Sequence, residues 1–209
     1  MKVTIPKEVR MLREYVLKNR SYRRFDENRR ITVETLEKLV DLTRFCPSAA
    51  NLQRLKWGIV NTPELCEKVF AYVGWAGYLQ DWPGPEKGER PSAYLVLLRD
   101  LSLGPTVSAL DEGIVAQTAL LGAVEEGLGG CMLGTVRREQ VLELLELDSQ
   151  RFEISLVIAL GHPRETVVLE EMAGNDCRYW RDENQVHHVP KRSLEEMIVF
   201  GKEKKSHDS

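Results

Sequence analysis

Stretches of helical and extended apolar spacing alternate along the chain, and their order predicts the fold class. Over residues 7–19, Val9, Leu12, Tyr15 and Val16 recur at helical intervals. A polar loop from Arg20 to Arg30 follows and carries five arginines. Thr32 suits the N-cap of a second helix with Leu36, Leu39 and Val40 on one face. That helix ends by Cys46, because Pro47 disfavours helical geometry in the residue before it. Residues 56–60 read as a strand. Thr62-Pro63-Glu64 combines a cap, a first-position proline and a first-turn acid, so a third helix starts there. Residues 74–92, rich in Gly, Pro and aromatics, predict an irregular excursion or lid, and residues 93–98 an apolar strand. Residues 107–126 predict a helix apolar nearly all round, which must be covered on every side. Its small residues Gly113, Ala116, Ala119, Gly122 and Ala123 allow close approach of another helix, and Gly127 suits its C-terminal cap. Residues 131–133 form a short strand edge or loop, and residues 137–147 a helix with Val141, Leu144 and Leu145 inward. The apolar run 154–160 predicts a strand buried on both faces. Ser193-Leu194-Glu195-Glu196 has the capping-box pattern and opens a last helix, followed by a polar, frayed tail over about 202–209. Four or so strands among at least six helices make an α+β or α/β layered protein with a helix-covered sheet.

Composition narrows this little. The chain's 209 residues suit a single domain over 1–209, and its 43% hydrophobic and 29% charged residues are ordinary for a globular protein. A net charge of −3 gives no global basic field for nucleic acid. Cys46, Cys66, Cys131 and Cys177 show no C-x-x-C spacing and no histidine at zinc-ligand distance, so four reduced thiols and no metal are expected. The start Met1–Glu8 lacks the apolar run of a signal peptide, and the uncharged stretch 113–124 is too short to span a membrane. A cytoplasmic location is the expectation. No dinucleotide or triphosphate glycine loop and no serine-nucleophile elbow occurs. His187 and His188, adjacent on a strand, would point oppositely and would not chelate together, so a surface or structural role is expected.

Two basic clusters remain: Arg20-Ser21-Tyr22-Arg23, and Lys191-Arg192 before the capped last helix. Taken alone, each reads first as a solvated charged patch. A phosphate monoester, with close to two negative charges at neutral pH, is the kind of group such clusters hold, and guanidinium matches its geometry.

The segment R-S-x-R-x-F at Arg20, Ser21, Arg23 and Phe25 resembles the N-terminal signature of the FMN-dependent nitroreductase family. Pro47, Ser48, Asn51 and Gln53 resemble its P-S-x-x-N-x-Q motif. Residues 127–134 look like its glycine-rich segment after the long central helix, and Gly161-His162-Pro163-Arg164-Glu165 like its G-x-P-x-E turn. Two positions depart from the pattern: Arg54 stands where proline is usual, and Asn19 where a second arginine is often found.

The resemblance implies an α+β fold with a central, mostly antiparallel sheet covered by helices, and a homodimer with FMN at the subunit interface. It implies that Arg20 and Ser21 contact the phosphate and ribityl chain, and that Arg23 reaches the N1 and C2-carbonyl side of the ring. Pro47, Ser48 and Asn51 would come from the neighbouring subunit. Met132, Leu133 and Gly134 would lie beside the ring, and Lys191 or Arg192 would complete the phosphate clamp. The implied activity is ping-pong electron transfer from NADH or NADPH, through flavin N5, to a small electron-poor acceptor such as a nitroaromatic or quinone. No protein nucleophile or general base is required for the first transfer. A flavin-storage protein and a dehalogenase-like or flavin-fragmenting relative are the competing readings. Trp75, Tyr78 and Trp82 are candidates for the acceptor-pocket wall, with a satellite core as the alternative.

Overall fold

A computed structural model describes residues 7–104 and 108–201. The N-terminal start, position 107 and the tail from Lys202 lie outside the described residues, as do the surroundings of the Val9 side chain. The chain divides into two compact units, one ending at Glu165 and the other beginning at Thr166.

The first unit holds α1 (Lys7–Lys18), α2 (Val33–Thr43), β1 (Leu55–Val60), α3 (Pro63–Phe70), β2 (Ala93–Asp100), α4 (Ala109–Glu125), β3 (Gly129–Leu133), α5 (Arg138–Leu144) and β4 (Phe152–Gly161). The caps expected at Thr32 and Thr62 are made: each hydroxyl accepts a main-chain N–H three residues on. Residues 74–92 carry no helix or strand, as their composition predicts. The four strands form one antiparallel sheet in the order β1-β2-β4-β3.

Alternation along the central strands explains their unbroken apolar runs. Tyr94, Val96 and Leu98 of β2, with Val157 and Ala159 of β4, face one core that includes Phe25, Val69 and Val141. Ala93 and Leu95, with Ile158 and Leu160, face a second core that includes Leu36, Leu39, Ala116 and Ala119. Helices therefore cover both faces, α3 and α5 on one and α2 and α4 on the other.

Helix α4 meets its expected all-round cover on one side only. Ala116, Ala119 and Ala123 are buried, yet Leu110 is 76% exposed and Ile114 38% exposed within the single chain. Asp100, at the end of β2, accepts the Ser102 hydroxyl at 2.5 Å and pairs with Arg151 at 3.1 Å. The Arg151 guanidinium and then the Ser102 hydroxyl hold its pKa down at about 2, from an ordinary 3.8. A depressed carboxylate pKa stabilises the fold above the unfolded-state value and loses that contribution as pH falls through the folded one. The stability gap between wild type and Asp100→Asn should accordingly be constant at neutral pH and close as pH drops from 3.8 towards 2 in acid-unfolding curves. A gap that widened on acidification would contradict this assignment.

The second unit holds β5 (Val167–Glu171), β6 (Trp180–Arg181), β7 (His187–Lys191) and α6 (Leu194–Met197). Its strands pair in the order β5-β7-β6, with β5 parallel to β7, a small sheet beyond the strands that periodicity predicts. Pro190 is tolerated in β7 because β6 pairs only with His187 and His188. The two histidines serve this sheet separately. His187 is buried, whereas His188 lies 3.1 Å from Glu170 and 3.5 Å from Asp182 and stacks on Trp180. The Ser193–Glu196 capping box forms as its pattern predicts.

Candidate functional site

After α1 the chain lies along the end of the antiparallel sheet. Ser21 forms a parallel bridge with Gly130, and the Tyr22 N–H donates to the Gly130 carbonyl at 3.1 Å. Phe25 bridges Pro163, the Asp26 N–H donates to the His162 carbonyl at 2.8 Å, and the Arg164 N–H donates to the Arg24 carbonyl at 2.9 Å. The glycine-rich segment and the G-x-P-x-E turn thus clasp the basic strip between them. Glycine permits the close approach: a Cβ on Gly161 would lie 2.7 Å from the Cβ of Phe25.

Three of the expected site residues are brought together on this strip. The Arg20 Nη2 donates to the Val16 carbonyl at 2.5 Å, while its buried Nε has no hydrogen-bond partner among the described residues. Burial pulls the pKa of this guanidinium down. A buried donor left without an acceptor is costly, so an anion is the natural complement. Ser21 is exposed. Arg23 is only 7% exposed, with Nη1 donating to the Ser21 carbonyl at 3.1 Å. Beneath them the Cys131 thiol is pushed up by burial, while the Arg23 charge and a Ser21 hydrogen bond act the other way.

Strand β3 continues from Gly130 to the next expected residues. Met132 is 38% exposed, Leu133 is buried, and a Cβ on Gly134 would meet nothing within 4 Å. Beside the strip there is therefore an open ledge made of a thioether and main chain.

Pro47, Ser48 and Asn51 are held elsewhere, against α4. The Ser48 hydroxyl donates to Asp111 at 2.8 Å, and the Ala49 N–H donates to the same carboxylate at 3.0 Å. Ala50, Asn51 and Gln53 adopt φ of 50°, 55° and 49°, left-handed positions interrupted by Leu52 at −75°, directly after the residues anchored to Asp111. At the departure position, the Arg54 carbonyl accepts the Asp100 N–H at 2.9 Å and extends the β1–β2 pairing. In the second unit Arg192 is engaged by Asn175 and Glu196, whereas the exposed Lys191 ammonium has no partner among the described residues.

Two residues without an assigned role turn out to organise the site. Asp111 fixes the Ser48 loop; its signal was the acidic pair Asp111–Glu112 in the first turn of a largely apolar helix. Glu165 accepts the main-chain N–H of Arg23 and, at 3.3 Å, that of Arg24. Its position in the G-x-P-x-E turn was visible, but its partner 142 residues away was not. Among the three aromatics of the excursion, Trp75 packs on Phe70 at 5.8 Å and belongs to the core. Tyr78 is exposed, and Trp82 lies under Arg24 at 5.9 Å.

These features define an α+β protein with an antiparallel sheet between helix layers and a basic strip clasped onto the sheet's glycine-rich edge. The sequence profile of the Nitroreductase family matches residues 16–162, and the chain belongs to that family. Its fold is shared with a nitroreductase family protein from Streptococcus pneumoniae, at 16% identity and a TM-score of 0.63 over 78% of this chain and 96% of that one. An FMN-dependent nitroreductase from Clostridium difficile is 20% identical, with a TM-score of 0.57 over 78% and 91% of the two chains. An NADPH:FMN oxidoreductase from Vibrio harveyi, complexed with NAD+, is 27% identical, with a TM-score of 0.57 over 74% and 70%. No curated protein matches the chain by sequence. Among the described residues no helix is long and apolar enough to cross a membrane, and no cluster of ligands suits a metal.

Proposed function

We propose that this protein is an NAD(P)H-dependent FMN oxidoreductase that reduces a small electron-poor acceptor, nitroaromatic or quinone-like, by a ping-pong route. The observation that carries the proposal is the strip Arg20–Arg23 lying on Gly130, beside the open ledge at Met132–Gly134. The unsatisfied buried Nε of Arg20 fits a phosphate, and an exposed thioether beside bare main chain fits a flat ring. Bound FMN supplies the two-electron chemistry. Arg20 and Ser21 bind its polar chain. Arg23, held nearly buried, presents a fixed positive charge to the pyrimidine side of the ring. Met132, Leu133 and Gly134 would lie beside the ring, with Met132 exposed and Gly134 open to main-chain contact. Of the basic pair in the second unit, the Arg192 guanidinium is already engaged by Asn175 and Glu196, which leaves the Lys191 ammonium the freer of the two.

A homodimer fits the exposed apolar positions of α4, because a two-fold axis covers such a face with its own counterpart. The anchored Pro47–Asn51 loop would then serve the site of a second copy. The whole of residues 1–209 acts as one functional domain in this reading, working in the cytoplasm.

The test is spectroscopic. The purified protein should be yellow or take up FMN, and NADH or NADPH should bleach it without oxygen. A protein that stays yellow with both nucleotides is a flavin store, and one that takes up no FMN overturns the proposal.

Trp82, beneath Arg24 with its ring centroid 5.9 Å from the guanidinium carbon, is the aromatic assigned to the acceptor pocket. Trp82→Ala should change the ratio of kcat/KM between a nitroaromatic and a quinone by about tenfold, the scale of one altered apolar pocket contact. FMN retention should change far less. Equal loss of flavin and activity would remove Trp82 from the pocket wall.

A further inference from the structure

We infer that Glu165 is the positioning residue for Arg23 and sets the local charge beside the flavin, an inference that rests on the flavin reading above. Its carboxylate accepts the main-chain N–H groups of both Arg23 and Arg24. Two consecutive N–H groups directed at one carboxylate fix the backbone from which the Arg23 side chain departs. The Arg23 guanidinium, through Nη1, then reaches back to the Ser21 carbonyl and closes a short loop. The remainder of the turn reinforces this clasp through the Arg164 N–H on the Arg24 carbonyl and the Phe25–Pro163 bridge.

The same carboxylate also contributes charge. The Cys131 thiol feels Arg23 and Glu165 with opposite signs, so a positive and a negative group both lie within electrostatic reach of this buried point. Tyr22 senses Glu165 as well, against Arg20. In a water-poor site a carboxylate there offsets part of the guanidinium's field. Negative charge gained by a bound FMN on reduction would be stabilised by Arg23 and opposed by Glu165. Geometry and charge thus act in opposite directions at one residue, and two substitutions separate them.

Glu165→Gln keeps an acceptor oxygen and removes the charge. Glu165→Ala removes both. In the FMN-free protein, amide hydrogen exchange should speed up by about tenfold or more at Arg23 and Arg24 in Glu165→Ala, the loss expected for a charge-assisted hydrogen bond, and stay near wild type in Glu165→Gln. In the FMN-loaded protein, the midpoint potential should move upward in Glu165→Gln, and Glu165→Ala should hold FMN more weakly. Unchanged exchange in Glu165→Ala overturns the positioning role. An unchanged or lowered potential in Glu165→Gln overturns the charge role. If wild type takes up no FMN, the flavin reading and the charge role fail together, while the exchange result still decides the positioning role.

Discussion

Arg23→Ala is expected to lower kcat/KM for nucleotide-driven reduction by about 10²-fold, the scale of losing one preorganised group aimed at developing charge. The residue is nearly buried, and its side-chain donor to the Ser21 carbonyl holds it in place before any ligand arrives. Preorganisation of this kind costs no rearrangement during the reaction. FMN affinity should also fall, by roughly tenfold, as the ring loses one charged contact. Arg23→Lys should recover part of the rate and less of the affinity, because an ammonium restores charge without the planar fork of donors. Anaerobic stopped-flow bleaching and flavin titration measure the two effects separately. A variant that reduces at the wild-type rate would show that Arg23 does not face the charge that develops.

Gly130→Ala is expected to be the most damaging single-methyl change in the site. The added Cβ would lie 2.6 Å from the Ala159 carbonyl oxygen, 2.6 Å from a Leu120 methyl and 2.8 Å from a Leu160 methyl. The leucines can turn, but the carbonyl belongs to β4, whose pairing with β2 and β3 holds it in place. Overpacking of this kind costs about 1–3 kcal/mol, which at this chain length lowers Tm by roughly 2–12 °C. Because the Gly130 carbonyl receives the Tyr22 N–H and its main chain bridges Ser21, displacement of β3 also displaces the basic strip. Flavin uptake should fall with stability. Gly134→Ala, whose Cβ would meet nothing within 4 Å, is the matched control and should melt like wild type. A Gly130→Ala protein with an unchanged melting curve would mean that the sheet can open at β3.

Much of the scaffold was legible in the sequence because its signals are local. Thr32 and Thr62 each cap a helix through a bond spanning three residues, and the Ser193–Glu196 box closes over the same distance. The run at 154–160 marks a strand covered on both faces, and it is the inner strand β4. The second sheet escaped notice because β6 is two residues long and β7 contains a proline, so neither shows a period. Their stabilising partners, Glu170 and Asp182 for His188, come from other strands and loops.

By itself the sequence determined the order of elements in the first unit and the residue types available to a phosphorylated cofactor, and its motifs implied the antiparallel α+β class by resemblance, since capping, periodicity and motif order are read along neighbouring residues. Only the tertiary structure decided which of those residues share a place. It laid Arg20–Arg23 on Gly130, sent the Ser48 loop to Asp111, sorted Trp75 into the core, and put Glu165 under the backbone of Arg23. The physical reason is separation along the chain. Contacts such as Arg23–Glu165, 142 residues apart, form when two core layers close on the sheet, and no local pattern encodes them.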